Sequence, residues 1–200
     1  MRYCACRCTH ASQPVSPTLA REEAFKVSTA KTYQQARMDA RNAAEDVLKR
    51  YWPHQSLPVD PVKIARALGI SVFDTQLGND TWGMIIGSES GADIYLDRDQ
   101  PASRYRFSCA HEIGHFIDRA NSLDPGMGYV DKRSTQGVGN MDEFYANEFA
   151  ASVLMPESQF RKYAKLGKSA FELSEIFGVS LQATRLRAEK LGISLGLAVN

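Results

Sequence analysis

The chain has 200 residues, of which 44% are hydrophobic and 24% are charged, a composition typical of one globular domain with a sizeable core and some extensions. Its formal net charge of +1 gives no electrostatic case for binding nucleic acid or a membrane surface. No apolar run approaches the roughly 18 residues of a membrane span, and the N-terminus lacks the apolar core of a signal peptide. We therefore expect a cytoplasmic protein without a membrane partner.

The N-terminal residues 1–27 are predicted to be a disordered tail, because Ser, Thr and Pro are frequent there and apolar periodicity is absent. The tail contains Cys4, Cys6, Cys8 and His10. Metal-binding sequences more often space cysteines as C-x-x-C, so alternating cysteines are weak evidence for a folded site. Their role stays open between none, a labile metal and a redox function.

A helical pattern begins near Ser28 and ends at Pro53, and a second helix is predicted from Asp60 to Gly69. Three runs rich in β-branched and aromatic residues follow, which predict a small antiparallel sheet: Ile70–Asp74, Thr81–Ile86 and Ala92–Asp97. The last strand could bind an extended substrate by edge pairing, while its apolar side chains face the core.

The sequence His111-Glu112-Ile113-Gly114-His115 follows within a helical pattern that starts near Pro101. Two histidines four residues apart on a helix project from one face and can bind one metal ion. Glu112 lies beside that face and can act on a water molecule as a general base, as in hydrolytic zinc sites of this type. Glycine inside a helix is unfavourable, so Gly114 indicates close approach of another segment.

A catalytic zinc usually has three protein ligands, so a third is needed. His10 lies in the tail and His54 in a loop, which favours a carboxylate from the helix predicted over 141–156. Glu143 shares a face with small residues that would let this helix approach the first one, whereas Glu148 lies about 140° away and is the weaker candidate. Glu143 could equally be a solvated first-turn carboxylate, and residue geometry alone leaves that choice open.

Between these two helices, residues 121–140 are predicted to form a long loop, a feature that is often a functional lid. Tyr129 could stabilise an oxyanion if the loop covers the metal, although a plain packing role is the simpler interpretation.

The C-terminal residues 170–193 are typical of a helix-turn-helix, with a break at Gly178 and a cap at Ser180. Three basic side chains of the second helix could contact phosphate, although nearby acidic residues oppose this: Arg185, Arg187 and Lys190. Packing that supports the Glu143 helix, or docking of a protein substrate, is the favoured alternative to nucleic acid.

Two long sequence motifs contain the candidate metal ligands and the candidate base. Residues 104–115 are RYRFSCAHEIGH and residues 143–156 are EFYANEFAASVLMP. Together they resemble the ImmA/IrrE family of metallo-endopeptidases, whose patterns are R-x-R-F-x-x-A-H-E-x-G-H and E-x-x-A-N-x-F-A-A-x-x-L-M-P. The similarity extends upstream to residues 58–70 and covers about residues 40–195. It implies that the metal ligands are His111, His115 and Glu143 and that Glu112 is the catalytic base.

These observations predict an α+β protein with a zincin-like metallopeptidase domain over residues 28–160 and a helix-turn-helix-like extension over 161–200. The expected activity is that of a zinc-dependent endopeptidase. The resemblance further implies a substrate class, since family members commonly cleave a helix-turn-helix repressor and so relieve repression in mobile elements, phages or stress responses. The alternative is a non-proteolytic regulator that binds a repressor or DNA, but Glu112 favours the enzyme because a pure binder does not need that base.

Overall fold

A computed structural model describes residues 32–78, 81–88, 91–120, 129–132 and 141–196, with the backbone alone for Ser88 and for 129–132. The chain divides into two units after Thr32, and the architecture below is that of the second unit, which begins at Tyr33. The predicted disordered tail, with its three cysteines and His10, lies outside the described residues.

The described residues form seven helices, and all of them except the fifth were predicted from the sequence. Their bounds are α1 Tyr33–Tyr51, α2 Pro61–Ala67, α3 Ala102–Ala120, α4 Met141–Leu154, α5 Glu157–Lys165, α6 Ala170–Phe177 and α7 Leu181–Lys190. At the start of α2 the Asp60 side chain accepts hydrogen bonds from the backbone N–H groups of Val62 and Lys63, at 3.1 and 3.2 Å. Gly178 ends α6 with a φ of 62°, and the Ser180 side chain caps α7, as the sequence predicts.

Four strands form one sheet in the order β1-β3-β2-β4. Their bounds are β1 Ile70–Thr75, β2 Gly83–Ser88, β3 Gly91–Asp97 and β4 Tyr129–Lys132. Strands β2 and β3 pair as an antiparallel hairpin, with Ile85 opposite Ile94. Strand β4 pairs antiparallel with the other edge of β2.

The sheet corrects three expectations. It is mixed rather than antiparallel, since β1 adds to the free edge of β3 and runs parallel to it. The expectation that β3 binds substrate by edge pairing is wrong, because β1 and β2 occupy both of its edges. The segment 121–140 is not all loop, since it contains β4, a strand of four residues that is too short to give a periodic signal.

The buried side chains form two clusters that meet at α3 and α4. The first lies between the sheet, α1 and α3, and includes Ile94, Ile113 and Phe149. The second joins α3 and α4 to the C-terminal helices and includes Ala150 and Phe177. Helix α4 contributes to both clusters, which explains why its sequence is apolar on nearly every side.

None of the described helices combines the length and the apolar character that crossing a membrane requires.

Candidate metal centre

Helix α3 places the H-E-x-x-H motif at the centre of the second unit. Every residue from Ser108 to His115 is buried, and the exposed fraction is 0% for His111 and Glu112 and 4% for His115. Burial of three polar side chains in adjacent turns is costly unless they interact with partners of suitable charge. The feature therefore points to a site that serves function rather than stability.

The two histidines and Glu143 of α4 converge on one point. The Nε2 atoms of His111 and His115 lie 3.0 Å apart. The Glu143 carboxylate places Oε2 3.4 Å from His111 Nε2 and Oε1 3.3 Å from His115 Nε2. One ligand atom from each residue lies within 4.8 Å of the others, so this group could hold a metal ion. Two imidazole nitrogens and one carboxylate oxygen are a donor set that suits catalytic zinc and leaves a position for water.

Close packing of α3 against α4 makes this convergence possible. A Cβ atom at Gly114 would lie 2.9 Å from the Cα and 3.2 Å from the carbonyl oxygen of Ala146. The prediction that Gly114 marks close approach of another segment is thereby confirmed. Since Ala146 lies one turn after Glu143, the contact sets how far the Glu143 side chain must reach towards the histidines.

The surroundings of Glu143 favour its charged form. Hydrogen bonds from His111 and His115 hold the pKa of the Glu143 carboxyl far below its ordinary value, although partial burial opposes this. The carboxylate is thus in the anionic form that binds a metal ion, and each imidazole can bind one when the nitrogen that faces the site gives up its proton.

Strand β2 approaches the fourth residue of the site, Glu112. A Cβ atom at Gly83 would lie 3.0 Å from Glu112 Oε1 and 3.5 Å from its Cγ. Glycine leaves this space to the carboxylate, and any larger residue would push the carboxylate aside by a few tenths of an ångström. Gly83 was not among the predicted site residues, although a glycine in a strand is a recognised sign of close approach.

A buried hydrogen-bond network connects that strand to α3. The Gln100 amide donates to the carbonyl oxygens of Trp82 and Asp97, at 2.9 and 2.8 Å, and accepts a bond of 3.0 Å from the Ser108 hydroxyl. Ser108 lies one helical turn before Glu112, and Trp82 precedes Gly83. The network therefore fixes the strand and the helix that meet at the Glu112 carboxylate, and sequence reasoning missed it.

The structure places the other candidates elsewhere. Glu148 is buried and bonds to Arg41 at 2.8 Å and to Lys190 at 3.0 Å, rather than to the histidines. His54 is exposed in the loop after α1 and is outside the ligand group. The Tyr129 side chain lies outside what the structure describes.

Of the three basic residues considered for phosphate contact, two bond within the protein. The Arg187 Nε donates to the carbonyl oxygen of Met155 at 3.2 Å, and Lys190 pairs with Glu148. Both contacts join α7 to α4 or to the residue that follows it. The expectation that the C-terminal helices support the Glu143 helix agrees with this packing.

Comparison with known proteins assigns the chain to a family. No curated protein matches it. Residues 65–189, well over half of the chain, match the family model Peptidase_M78, described as the IrrE N-terminal-like domain. The matched range contains α3 and α4 with all four site residues. The α+β fold and the predicted ImmA/IrrE resemblance agree with this match, and the chain belongs to the Peptidase_M78 (ImmA/IrrE) family of metallopeptidases.

Proposed function

We propose that the protein is a zinc-dependent endopeptidase in which His111, His115 and Glu143 bind the metal and Glu112 is the general base. The observation that carries the proposal is the position of Glu112. It stands between the two histidines in the sequence, its side chain is fully buried, and its carboxylate lies against Gly83. A carboxylate held at that place has a use in proton transfer, and the three ligand atoms beside it supply the site for the ion.

When bound, zinc would act as a Lewis acid that polarises the scissile carbonyl and makes water a better nucleophile. Glu112 accepts the proton that the water loses as its oxygen attacks the carbonyl carbon. Glu112 then donates this proton to the amide nitrogen, the C–N bond breaks, and the free amine leaves. The packing of Gly83 and the Gln100 network hold the carboxylate so that little rearrangement is needed between the two steps.

The proposed substrate is a helix-turn-helix repressor, and the proposed place of action is the cytoplasm, where such repressors work. Support comes from the ImmA/IrrE resemblance, because members of that family commonly cleave repressors of this kind. Cleavage would relieve repression in a mobile element, a phage or a stress response. A metallopeptidase acts on a protein or peptide substrate, and the proposal is that this substrate is a repressor.

Metal binding is tested by Glu143→Gln, with Asp142→Asn as the matched control on the same turn of α4. Wild-type protein should bind about one zinc ion per chain. Glu143→Gln should lose most of this zinc, since the amide is a poorer ligand than the carboxylate, while Asp142→Asn should retain it. Metal analysis and titration with a chromophoric chelator measure both. Full zinc affinity in Glu143→Gln would show that the third ligand is another residue.

The catalytic role is tested by Glu112→Gln, which preserves the size of the side chain but removes the proton acceptor. Cleavage of the proposed helix-turn-helix repressor should slow by about 10² to 10⁴, with zinc retained. Glu175→Gln, an exposed change of equal charge on α6, should leave the rate unchanged. If Glu112→Gln still relieves repression in the cell while the repressor stays intact, the protein is a binding regulator and not a peptidase that acts by cleavage.

A further inference from the structure

A cavity of about 490 Å³ lies where α1 packs against α4, next to the start of α5. Helix α1, the loop after it, the end of α4, the start of α5 and Arg187 of α7 supply its walls. None of the four residues of the candidate metal centre lines it. Its volume is within the range of about 300 to 1,000 Å³ that is usual for small-molecule sites.

Two residues that line this cavity each have a buried donor atom with unused hydrogen-bonding capacity. Ser152 is 7% exposed and Arg187 is 2% exposed. Among the described residues, Ser152 Oγ and Arg187 Nη1 have no hydrogen-bond acceptor. The nearest carboxylate oxygen to Arg187 Nη1 is Glu148 Oε1 at 3.7 Å, an ion-pair distance but too long for a hydrogen bond. Leaving such donors buried and unsatisfied costs stability, which a bound acceptor would restore.

Positive charge exceeds negative charge at the same wall. The single carboxylate of Glu148 is shared by three cations, Arg41 at 2.8 Å, Lys190 at 3.0 Å and Arg187 at 3.7 Å. Burial lowers the pKa of Arg187 to about 10, so this guanidinium is still a cation at neutral pH.

The acidic residues at the rim do not offset this excess. Glu45 pairs with Lys49 at 3.0 Å, and Glu157 pairs with Arg161 at 2.7 Å. The uncompensated cations therefore favour an anion in the cavity.

Apolar side chains and an aromatic ring also line the cavity. Ala44, Leu48, Val59 and Pro156 line the cavity together with Trp52. The Trp52 indole N–H already donates to the carbonyl oxygen of Ser56 at 2.8 Å, so its partly buried ring offers a surface rather than a donor. Flat apolar groups pack well against such a ring.

We propose that this cavity is a binding site for a small aromatic carboxylate. The carboxylate lies beside Ser152, Arg187 and Arg41, and the aromatic body packs against Trp52 and its apolar neighbours. The site is separate from the metal centre, and the proposal holds whether or not the protein cuts a repressor.

Calorimetric titration of the full chain with 2-naphthoate tests the proposal, with the neutral 2-naphthamide as the matched probe. We expect one saturable site with a Kd of about millimolar or lower for the carboxylate, and binding at least about tenfold weaker for the amide. Ser152→Ala should weaken 2-naphthoate about three- to tenfold, and Arg41→Gln about threefold or more. Arg50→Gln, an equal charge change on α1 outside the cavity, should have no effect.

Ser152→Ala removes a hydroxyl that has no hydrogen bond among the described residues, so this variant should fold. It therefore tests the proposal even if Arg41→Gln disturbs the protein. The proposal is overturned if 2-naphthoate shows no saturable binding at millimolar concentration. It is equally overturned if the amide binds as tightly as the carboxylate, or if Ser152→Ala and Arg41→Gln bind 2-naphthoate like the wild type.

Discussion

At Gly83 the sheet contacts the carboxylate that the proposed mechanism uses as its base. This contact joins two features that lie far apart in the sequence, a glycine in β2 and the glutamate of the H-E-x-x-H motif on α3. The strand acts through Glu112 and has no part in the chemistry itself, so Gly83 is a positioning residue. Its substitution should affect the rate of catalysis and spare the metal.

Gly83→Ala is expected to lower peptidase activity about tenfold to hundredfold while zinc binding stays near the wild-type value. The added methyl group would lie 3.0 Å from Glu112 Oε1, so the carboxylate must move by a few tenths of an ångström. Small misplacement of a reacting group has effects of this size. Met84→Ala, whose side chain points to the other face of the strand, serves as the control in the same cleavage assay. Loss of zinc in Gly83→Ala would instead indicate general disruption of the site.

Residue spacing in the sequence was enough to predict part of the site. The helical period brings His111 and His115 to one face, and Gly114 indicated the close contact with Ala146 that the structure contains. Geometry alone could not choose Glu143, because its distance to the histidines depends on how two helices pack, and family resemblance was needed. Gln100 acts through tertiary contacts for which the chain has no local pattern, and the strand glycine Gly83 signals a close approach without identifying the residue that approaches.

At the scale of elements, helix α4 has a buried carboxylate that ties it to its neighbours on both sides. Glu148 pairs with Arg41 of α1 and with Lys190 and Arg187 of α7. Burial alone would raise the pKa of Glu148, but hydrogen bonds from Arg41 and Lys190 outweigh it and the pKa is lowered. The charged carboxylate therefore stabilises the position of the helix that also carries Glu143.

Glu148→Gln should reduce the free energy of unfolding at pH 7 by about 3 to 5 kcal/mol, since it leaves the buried Arg187 without its carboxylate. A carboxyl with a lowered pKa in the folded state contributes stability above its unfolded pKa of about 4.3, and this contribution is lost as the pH falls through the folded value. The difference between wild type and variant should thus shrink below about pH 4. Urea unfolding at several pH values measures it, and a difference that grows in acid would contradict the assignment.

Elements with a clear pattern were predicted well, among them β1, β2 and β3, whereas the way these strands pair was not. The helical pattern that ends at Pro53 identified α1, whose buried residues include Ala36, Ala40 and Ala44, and Asp60 identified the start of α2. The pairing of β1 with β3 was missed because a strand's sequence contains no information about which edge it joins. Strand β4 was missed because its four residues are too few to show alternation.

For the second unit as a whole, the two apolar clusters share α3 and α4, so each should unfold only with the other. Ile113 belongs to the first cluster and Ala110 to the second, although both lie on α3 within one turn. If one cluster unfolded alone, the side chains of α3 and α4 that it buries would be exposed to water. We therefore expect a single cooperative transition for the described part of the chain.

Phe177→Ala tests this cooperativity, because the residue lies in the second cluster, is fully buried, and stacks on Phe160 with ring centroids 5.5 Å apart. The cavity that it leaves should cost about 3 to 5 kcal/mol. Far-ultraviolet circular dichroism follows the unfolding of all the helices. The fluorescence of Trp52 reports on the first cluster, because the Trp52 ring packs against it. It is measured in a Trp82→Phe background, so that Trp52 is the only tryptophan. If the clusters are coupled, both signals in the variant shift to the same lower urea midpoint. Two separate midpoints, with the Trp52 signal unchanged by Phe177→Ala, would show that the C-terminal helices unfold alone and do not support the metal centre.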